Sequence, residues 1–180
     1  MNLKEKYQKE VITKMKEDFG YSNNLAVPKI TKVSLNIGIG RSKDDPKIAE
    51  IAEATLARIT GQKPVFTLAK TSISAFKVRE GMKVGLRVTL RGKKMWDFLE
   101  KLVNVSLPRV RDFRGLSPKG IDKNGNFNIG FKEHIVFPEI KSDEIEKIHG
   151  LEVAITTSAD TYDEGFKLLK YLGFPFQDSN

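Results

Sequence analysis

The residues with the most evident chemical capacity are cations. Lys63, Lys70, Lys77, Arg79, Lys83, Arg87, Arg91, Lys93, Lys94, Lys101, Arg109, Arg111, Arg114, Lys119 and Lys123 crowd into the middle third of the chain. Against these 15 bases stand 5 acids, so the segment nets +10, while the rest of the chain nets −2. Ammonium and guanidinium groups at this density neutralise phosphates, and their concentration in one segment builds a field that attracts a polyanion. Nucleic acid is the first expected partner, and an anionic membrane surface the second.

The groups that bond-making chemistry needs are scattered. There is no Cys, which excludes disulfides, a thiol nucleophile and thiolate metal sites. An RNA-cleaving site would want a His pair or clustered carboxylates. The two histidines are expected on different elements, His134 in a strand and His149 in a turn. Asp143, Glu144 and Glu146 do cluster, but at a predicted helix start, where acids favour the helix dipole. Asp44 and Asp45 read as cap residues. Gly38-Ile39-Gly40 follows a strand, yet position 43 is Lys where the dinucleotide fingerprint needs Gly, and the P-loop Gly-Lys-Ser/Thr is missing. It reads as a turn whose N–H groups, with Arg41 and Lys43, lie near a phosphate. No enzymatic activity, cofactor or metal is expected.

At 180 residues with 39% hydrophobic and 30% charged content, the chain suits one globular domain spanning 1–180. The opening Met-Asn-Leu-Lys-Glu-Lys has no apolar run, so no secretory signal is expected there. No stretch approaches the length of a membrane span. The basic segment reads as strands and short loops, not as a basic amphipathic helix with a face for lipid. A cytoplasmic protein without membrane contact is the expectation.

The elements that position these cations follow from periodicity. Leu3, Tyr7, Val11 and Met15 predict a helix over 3–19, stopped by Gly20. After Pro28 a strand alternates, with Thr31, Val33, Leu35, Ile37 and Ile39 on one side and Lys32, Ser34, Asn36 and Gly38 on the other. Asp45-Pro46 caps a helix that buries Ile48, Ile51, Ala52, Leu56 and Ile59 and ends at Gly61. Strands are predicted near 65–69 and 72–78, with Gly81 at a hairpin tip. The next strand sends Val84, Leu86, Val88 and Leu90 inward and Gly85, Arg87, Thr89 and Arg91 outward. A helix over 94–107 buries Met95, Phe98, Leu99, Leu102 and Val103. A Gly/Asn/Pro-rich loop spans 108–130, with Asn124-Gly125 as a tight turn. Strands follow at 131–137 and 151–158, and Thr161 with Glu164 forms a capping box for the last helix.

The order α-β-α-β-β-β-α-β-β-α is α+β: a mostly antiparallel sheet with helices on one face and the opposite face open. That open face would carry Asn36, Arg87, Thr89 and Arg91 among small residues that let a ligand approach. An ordinary solvated sheet face is the alternative, and the basic segment favours RNA over it. Phe66 and Phe76 are assigned to the core, so recognition by shape and phosphates is expected over base stacking.

Several runs then resemble a known family. They are Val27-Pro28-Lys29-Ile30, Leu35 to Gly40, Gly61-Gln62-Lys63-Pro64, Ser72 to Met82, Val88 to Gly92, Leu107 to Leu116, Asn124-Gly125-Asn126, Phe137 to Ile140, Gly150-Leu151 and Phe174-Pro175-Phe176. Together they cover essentially the whole chain and resemble the bacterial large-subunit ribosomal protein five family, the L-five or uL-five proteins. The resemblance implies a structural subunit of the central protuberance of the 50S particle. Its implied partners are 5S rRNA, 23S rRNA, P-site tRNA, the small-subunit head protein thirteen and neighbouring central-protuberance proteins. It implies 5S rRNA contacts at Asn36, Gln62, Lys63, Thr89 and Arg91. The segment Lys77, Arg79, Gly81, Lys83 is similar to the family loop that reaches P-site tRNA, although the residues alone fit a solvated hairpin. Arg109, Arg111 and Arg114 are implied at an intersubunit bridge, with rRNA an equal alternative on charge. His134 stands where the family pattern suggests an uncharged amide.

Overall fold

The computed structural model describes residues 2–40, 46–140 and 148–177. The expectations at Arg41, Lys43, Asp44, Asp45, Asp143, Glu144 and Glu146 lie outside the described residues. Among the described residues five strands form one antiparallel sheet in an α+β fold, with the order β2-β3-β1-β5-β4. They are β1 (Ile30–Gly38), β2 (Val65–Leu68), β3 (Lys83–Leu90), β4 (Phe127–Phe131) and β5 (Leu151–Thr157). The helices are α1 (Leu3–Lys6), α2 (Ile12–Phe19), α3 (Pro46–Thr60), α4 (Gly92–Lys101) and α5 (Tyr162–Leu172). A π-helical turn, Tyr7–Val11, joins α1 to α2, and another, Leu102–Ser106, extends α4.

The chain packs as two compact units, one of Met1–Val33, Leu90–Ile129 and Ala154–Asn180 and the other of Ser34–Thr89 and Gly130–Val153. In the first, Leu3, Tyr7, Val11 and Met15 are all buried, as are Phe98, Leu99, Leu102, Leu168, Leu169 and Leu172 from α4 and α5 and the turn after α4. The Tyr7 ring lies 5.7 Å from Trp96, and its hydroxyl donates to the Pro28 carbonyl at 3.1 Å. In the second unit, α3 buries Ile48, Ala52, Leu56 and Ile59, and the strands bury Leu35, Ile37, Leu86 and Val88. Leu35→Ala should therefore lose about 2–5 kcal/mol as a core truncation, read as a lower urea midpoint with an unchanged slope.

Most predicted elements lie where expected, with α1 to α2, α3 and α5 ending at Gly20, Gly61 and Gly173. The capping box is present, with Thr161 accepting from the Glu164 N–H and the Glu164 carboxylate accepting from the Thr161 N–H. Other expectations need correction. Thr31 is exposed while Ile30 is buried, so the alternation of β1 takes hold only at Val33. Ile51 and Val103 are only half-buried.

The segment 72–78 is not a strand. Ile73 and Val78 form a single antiparallel bridge around a 3-10 turn, Ser74–Phe76. Ile73 and Phe76 are exposed there, so strand-like composition does not become a buried strand. The strand expected at 131–137 lies instead at Phe127–Phe131, and His134 sits in the 3-10 turn His134–Val136. The Asp122 carboxylate starts that strand early. It accepts from the N–H groups of Asn124 and Asn126 at 2.9 and 2.8 Å and from the Asn126 amide at 2.9 Å. Burial works against its charge, but these bonds hold the carboxyl below its ordinary pKa. Gly125, at φ +72°, closes the turn.

Candidate nucleic-acid interface

The sheet face opposite the core is polar and accessible in the second unit. Along β1, Asn36 and Gly38 are exposed and Ser34 is half-buried; along β3, Arg87 is exposed and Thr89 half-buried. The β2–β3 register pairs Val65 with Arg87 and Thr67 with Gly85, which places Val65 and Thr67 on this same face. Little in the order of residues announces this, because β2 reads Val-Phe-Thr-Leu, with an apolar residue on each side. Gly85 has a different role from the one expected. A Cβ there would meet the Ile37 carbonyl oxygen and the Thr67 hydroxyl, each at 2.8 Å. Its lack of a side chain serves the fit of neighbouring strands, and the Thr67 hydroxyl occupies the space expected for a ligand.

The loop after α3 borders this face. Gln62 donates from Nε2 to the Thr89 carbonyl at 3.2 Å, and its N–H donates to the Thr60 hydroxyl at 3.3 Å. Gln62 thus ties the loop to β3 and brings two of the expected contact residues together. Lys63 is exposed beside it. A groove of about 470 Å³ runs here, lined by Glu50, Glu53, Ala54, Ala57 and Gly61 to Pro64. Arg91 is exposed immediately after β3, in extended backbone, and precedes α4.

The loop between β2 and β3 is a closed finger. At its base the Ala69 N–H donates to the Met82 carbonyl at 2.8 Å and the Gly81 N–H to the Ala69 carbonyl at 2.9 Å. Higher up, Ile73 and Val78 exchange bonds of 2.8 and 3.1 Å. The tip is therefore Ser74–Lys77, with Lys77 left-handed at φ +49°. Gly81 is at the base, not the tip. Arg79 lies on the returning arm, and Lys83 begins β3 with its ammonium 4.1 Å from the Phe66 ring centre. Phe66 is half-buried under that cation, and Phe76 is 70% exposed. The expectation that Phe76 belongs to the core is wrong, because it ends the exposed 3-10 turn Ser74–Phe76.

In the first unit, Arg109, Arg111 and Arg114 are exposed on the stretch that follows α4. Between them Asp112 adopts φ +53°. The stretch is anchored downstream, where the Leu116 N–H donates to the Pro175 carbonyl at 2.7 Å and the Gln177 N–H to the Leu116 carbonyl at 2.9 Å.

The histidines do meet. His134 and His149 stack with ring centres 4.0 Å apart and planes 5° from parallel. The His149 N–H donates to His134 Nδ1 at 3.3 Å. Burial lowers the pKa of both, and for His149 burial and the neighbouring ring bring it to about 4. Two neutral stacked rings do not form a proton relay. Their neutrality fits a position where an uncharged amide was expected. Among the described residues no group of three or more His, Asp or Glu could hold a metal ion, and no helix is long and apolar enough to cross a membrane.

Comparison with known proteins agrees along the whole chain. The family model for ribosomal protein L5 matches residues 23–79, and the model for the C-terminus of that ribosomal family matches residues 83–176. Their junction falls at the return of the β2–β3 finger. The large ribosomal subunit protein uL5 of Halothermothrix orenii is 54% identical over 174 residues, covering 97% of each chain. That of Desulfotalea psychrophila is 54% identical over 175 residues, covering 97% of this chain and 98% of its own. That of Clostridium perfringens is 51% identical over 174 residues, again 97% of each. The chain belongs to the ribosomal protein L5 family.

Proposed function

We propose that this chain holds 5S rRNA on the polar sheet face of β1 and β3 and on the loop Gly61–Pro64, through Asn36, Gln62, Lys63, Thr89 and Arg91. As an L5 family member it is a structural, non-enzymatic constituent of the large subunit of the cytoplasmic ribosome. The observation that carries the reading is Gln62 bonded to Thr89, which joins a cationic loop to the edge of an open polar face. Such a surface offers amide and hydroxyl groups for directional bonds and cations for phosphate. In the same reading the chain also touches 23S rRNA and neighbouring central-protuberance proteins. The β2–β3 finger, with Lys77, Arg79 and Lys83, reaches P-site tRNA. Arg109, Arg111 and Arg114 face the small-subunit head and its protein thirteen.

The test is binding to 5S rRNA against an unrelated folded RNA of equal length, across a salt series. Selective binding that survives moderate salt supports the reading; equal binding that collapses steeply with salt opposes it. Asn36→Ala and Thr89→Ala should each weaken 5S rRNA binding about three- to tenfold, the loss of one hydrogen bond, with melting unchanged. Lys63→Ala should lower the slope of log affinity against log salt by about one. Unchanged affinity in both Asn36→Ala and Thr89→Ala would rule out the sheet face.

A further inference from the structure

We propose that Phe76, backed by Ile73, is an apolar platform at the tip of the β2–β3 finger that packs flat against an exposed base or ribose of the tRNA this finger meets. The proposal rests on the reading that the finger reaches tRNA, and it adds a stacking contact that a purely cationic loop lacks. Phe76 is 70% and Ile73 45% exposed, and every side chain from Thr71 to Lys77 is exposed. Around them Lys70, Lys77, Arg79 and Lys83 outnumber one acid, Glu80, so residues 70–83 net +3. An accessible aromatic ring among cations is the composition that holds nucleic acid, the cations on the backbone and the ring on a π face. A groove in a neighbouring protein would need to be both apolar and acidic to match it.

The platform is also held in place. The Phe76 N–H donates to the Ile73 carbonyl at 3.3 Å, the Lys77 N–H to the Ser74 carbonyl at 2.9 Å, and the Glu80 N–H to the Ser72 hydroxyl at 2.9 Å. A ring carried on a closed turn loses little further freedom on binding, so more of the contact appears as affinity.

The experiment uses large subunits assembled with the full-length chain, joined to small subunits, and measures P-site tRNA affinity across a salt series. Phe76→Ala should weaken tRNA binding about five- to a hundredfold, the range for losing one base stack. The salt slope should not change, and Phe76→Trp should bind as the wild type does. The pair Lys77→Asn with Arg79→Gln should lower the salt slope. If that pair weakens binding and Phe76→Ala does not, the finger meets tRNA by charge alone and the platform is overturned. If none of the variants alters tRNA binding, the finger reading itself fails. If Phe76→Ala instead releases a neighbouring protein from the purified subunit and leaves tRNA affinity intact, the ring seats in protein and the proposal is wrong. Phe76→Ala should not shift the melting temperature of the free chain, because the ring is exposed.

Discussion

Gly165→Ala should destabilise the protein by about 3 kcal/mol or more, although helix propensity alone predicts a gain of about 1 kcal/mol from replacing a helix-interior glycine. The two effects have opposite sign, so one urea melt decides between them. Gly165 is buried in α5 against the Asp122–Asn126 turn, and a Cβ there would land on the Gly125 Cα and carbonyl oxygen. The obstacle is backbone, which cannot rotate aside. Nor is the turn free to retreat. The Thr157 hydroxyl donates to the Gly125 carbonyl and the Thr157 N–H to Asn126 Oδ1, each at 3.0 Å. From the other side, a Cβ on Gly125 would meet Ala159 Cβ and the Thr161 carbonyl at 2.8 Å. The two glycines form one close approach that ties α5 to the turn before β4. A Gly165→Ala protein as stable as the wild type would show that α5 does not press on this turn.

The second large effect is acid sensitivity. Unfolded, His149 titrates near 6.5. Folded, burial and the stacked His134 lower its pKa to about 4. Between these values the unfolded chain binds a proton that the folded chain refuses, so stability is complete above pH 6.5 and falls as the pH drops toward 4. Each tenfold loss of proton affinity is worth about 1.4 kcal/mol. With the solvent that reaches this half-buried ring allowed for, His149 alone removes about 2–3 kcal/mol over that window. Among the described residues His149 Nε2 is buried with no hydrogen-bond partner and Nδ1 meets only the Gly150 carbonyl, at 3.3 Å, so a phenyl ring should fill the site at the cost of that one long bond. His149→Phe should keep the stack and flatten the decline, and carboxylates that titrate nearby cancel in the difference between the two proteins. Parallel stability curves for wild type and His149→Phe from pH 7 to 4 would show that His149 carries no proton linkage.

Legibility follows how local the determinant is. The period of two in Val33 to Gly38 and Val84 to Leu90 is written in adjacent residues, and the structure keeps these faces except that Val84 is half-buried and Gly85 is buried. Helix stops and the Thr161–Glu164 box are equally local. The Ile73–Val78 turn reads wrongly as a strand because Ile, Phe and Val favour strands whether or not a neighbour exists to bury them. Its exposure depends on where the chain folds back, which composition cannot show. The strand at Phe127–Phe131 hides behind Asn and Gly, although Phe127, Ile129 and Phe131 do alternate. The His134–His149 stack and the Gly125–Gly165 contact join distant residues, so no spacing rule reaches them. A glycine inside a helical pattern is still a signal, and Gly165 can be found by it. For the candidate interface, alternation alone places Asn36 and Arg87 on the accessible face. Phe76 escapes because aromatic residues are assigned inward by default, and the bond from Gln62 to Thr89 depends on where the chain returns after α3.

The π turn at Tyr7–Val11 sets the phase of the N-terminal helix. Four residues of a regular α-helix turn through about 400°, so a stripe repeating every fourth residue slips round the axis by about 40° at each step. From Leu3 to Met15 that would be about 120°, enough to carry one end of the stripe out of the core. The wider turn rotates less per residue and returns the stripe to line, so Leu3, Tyr7, Val11 and Met15 are all buried. The Tyr7 ring thereby reaches Trp96 of α4, while the neighbouring Lys6 ammonium reaches the Leu172 carbonyl at the end of α5 at 3.2 Å. The wider turn thus accommodates the one residue by which this segment exceeds a regular helix. Deleting one residue from Tyr7–Val11 would restore a regular helix in which Leu3 and Met15 stand eleven steps of about 100° apart, close to three full turns, so the two ends of the stripe would stay nearly in line.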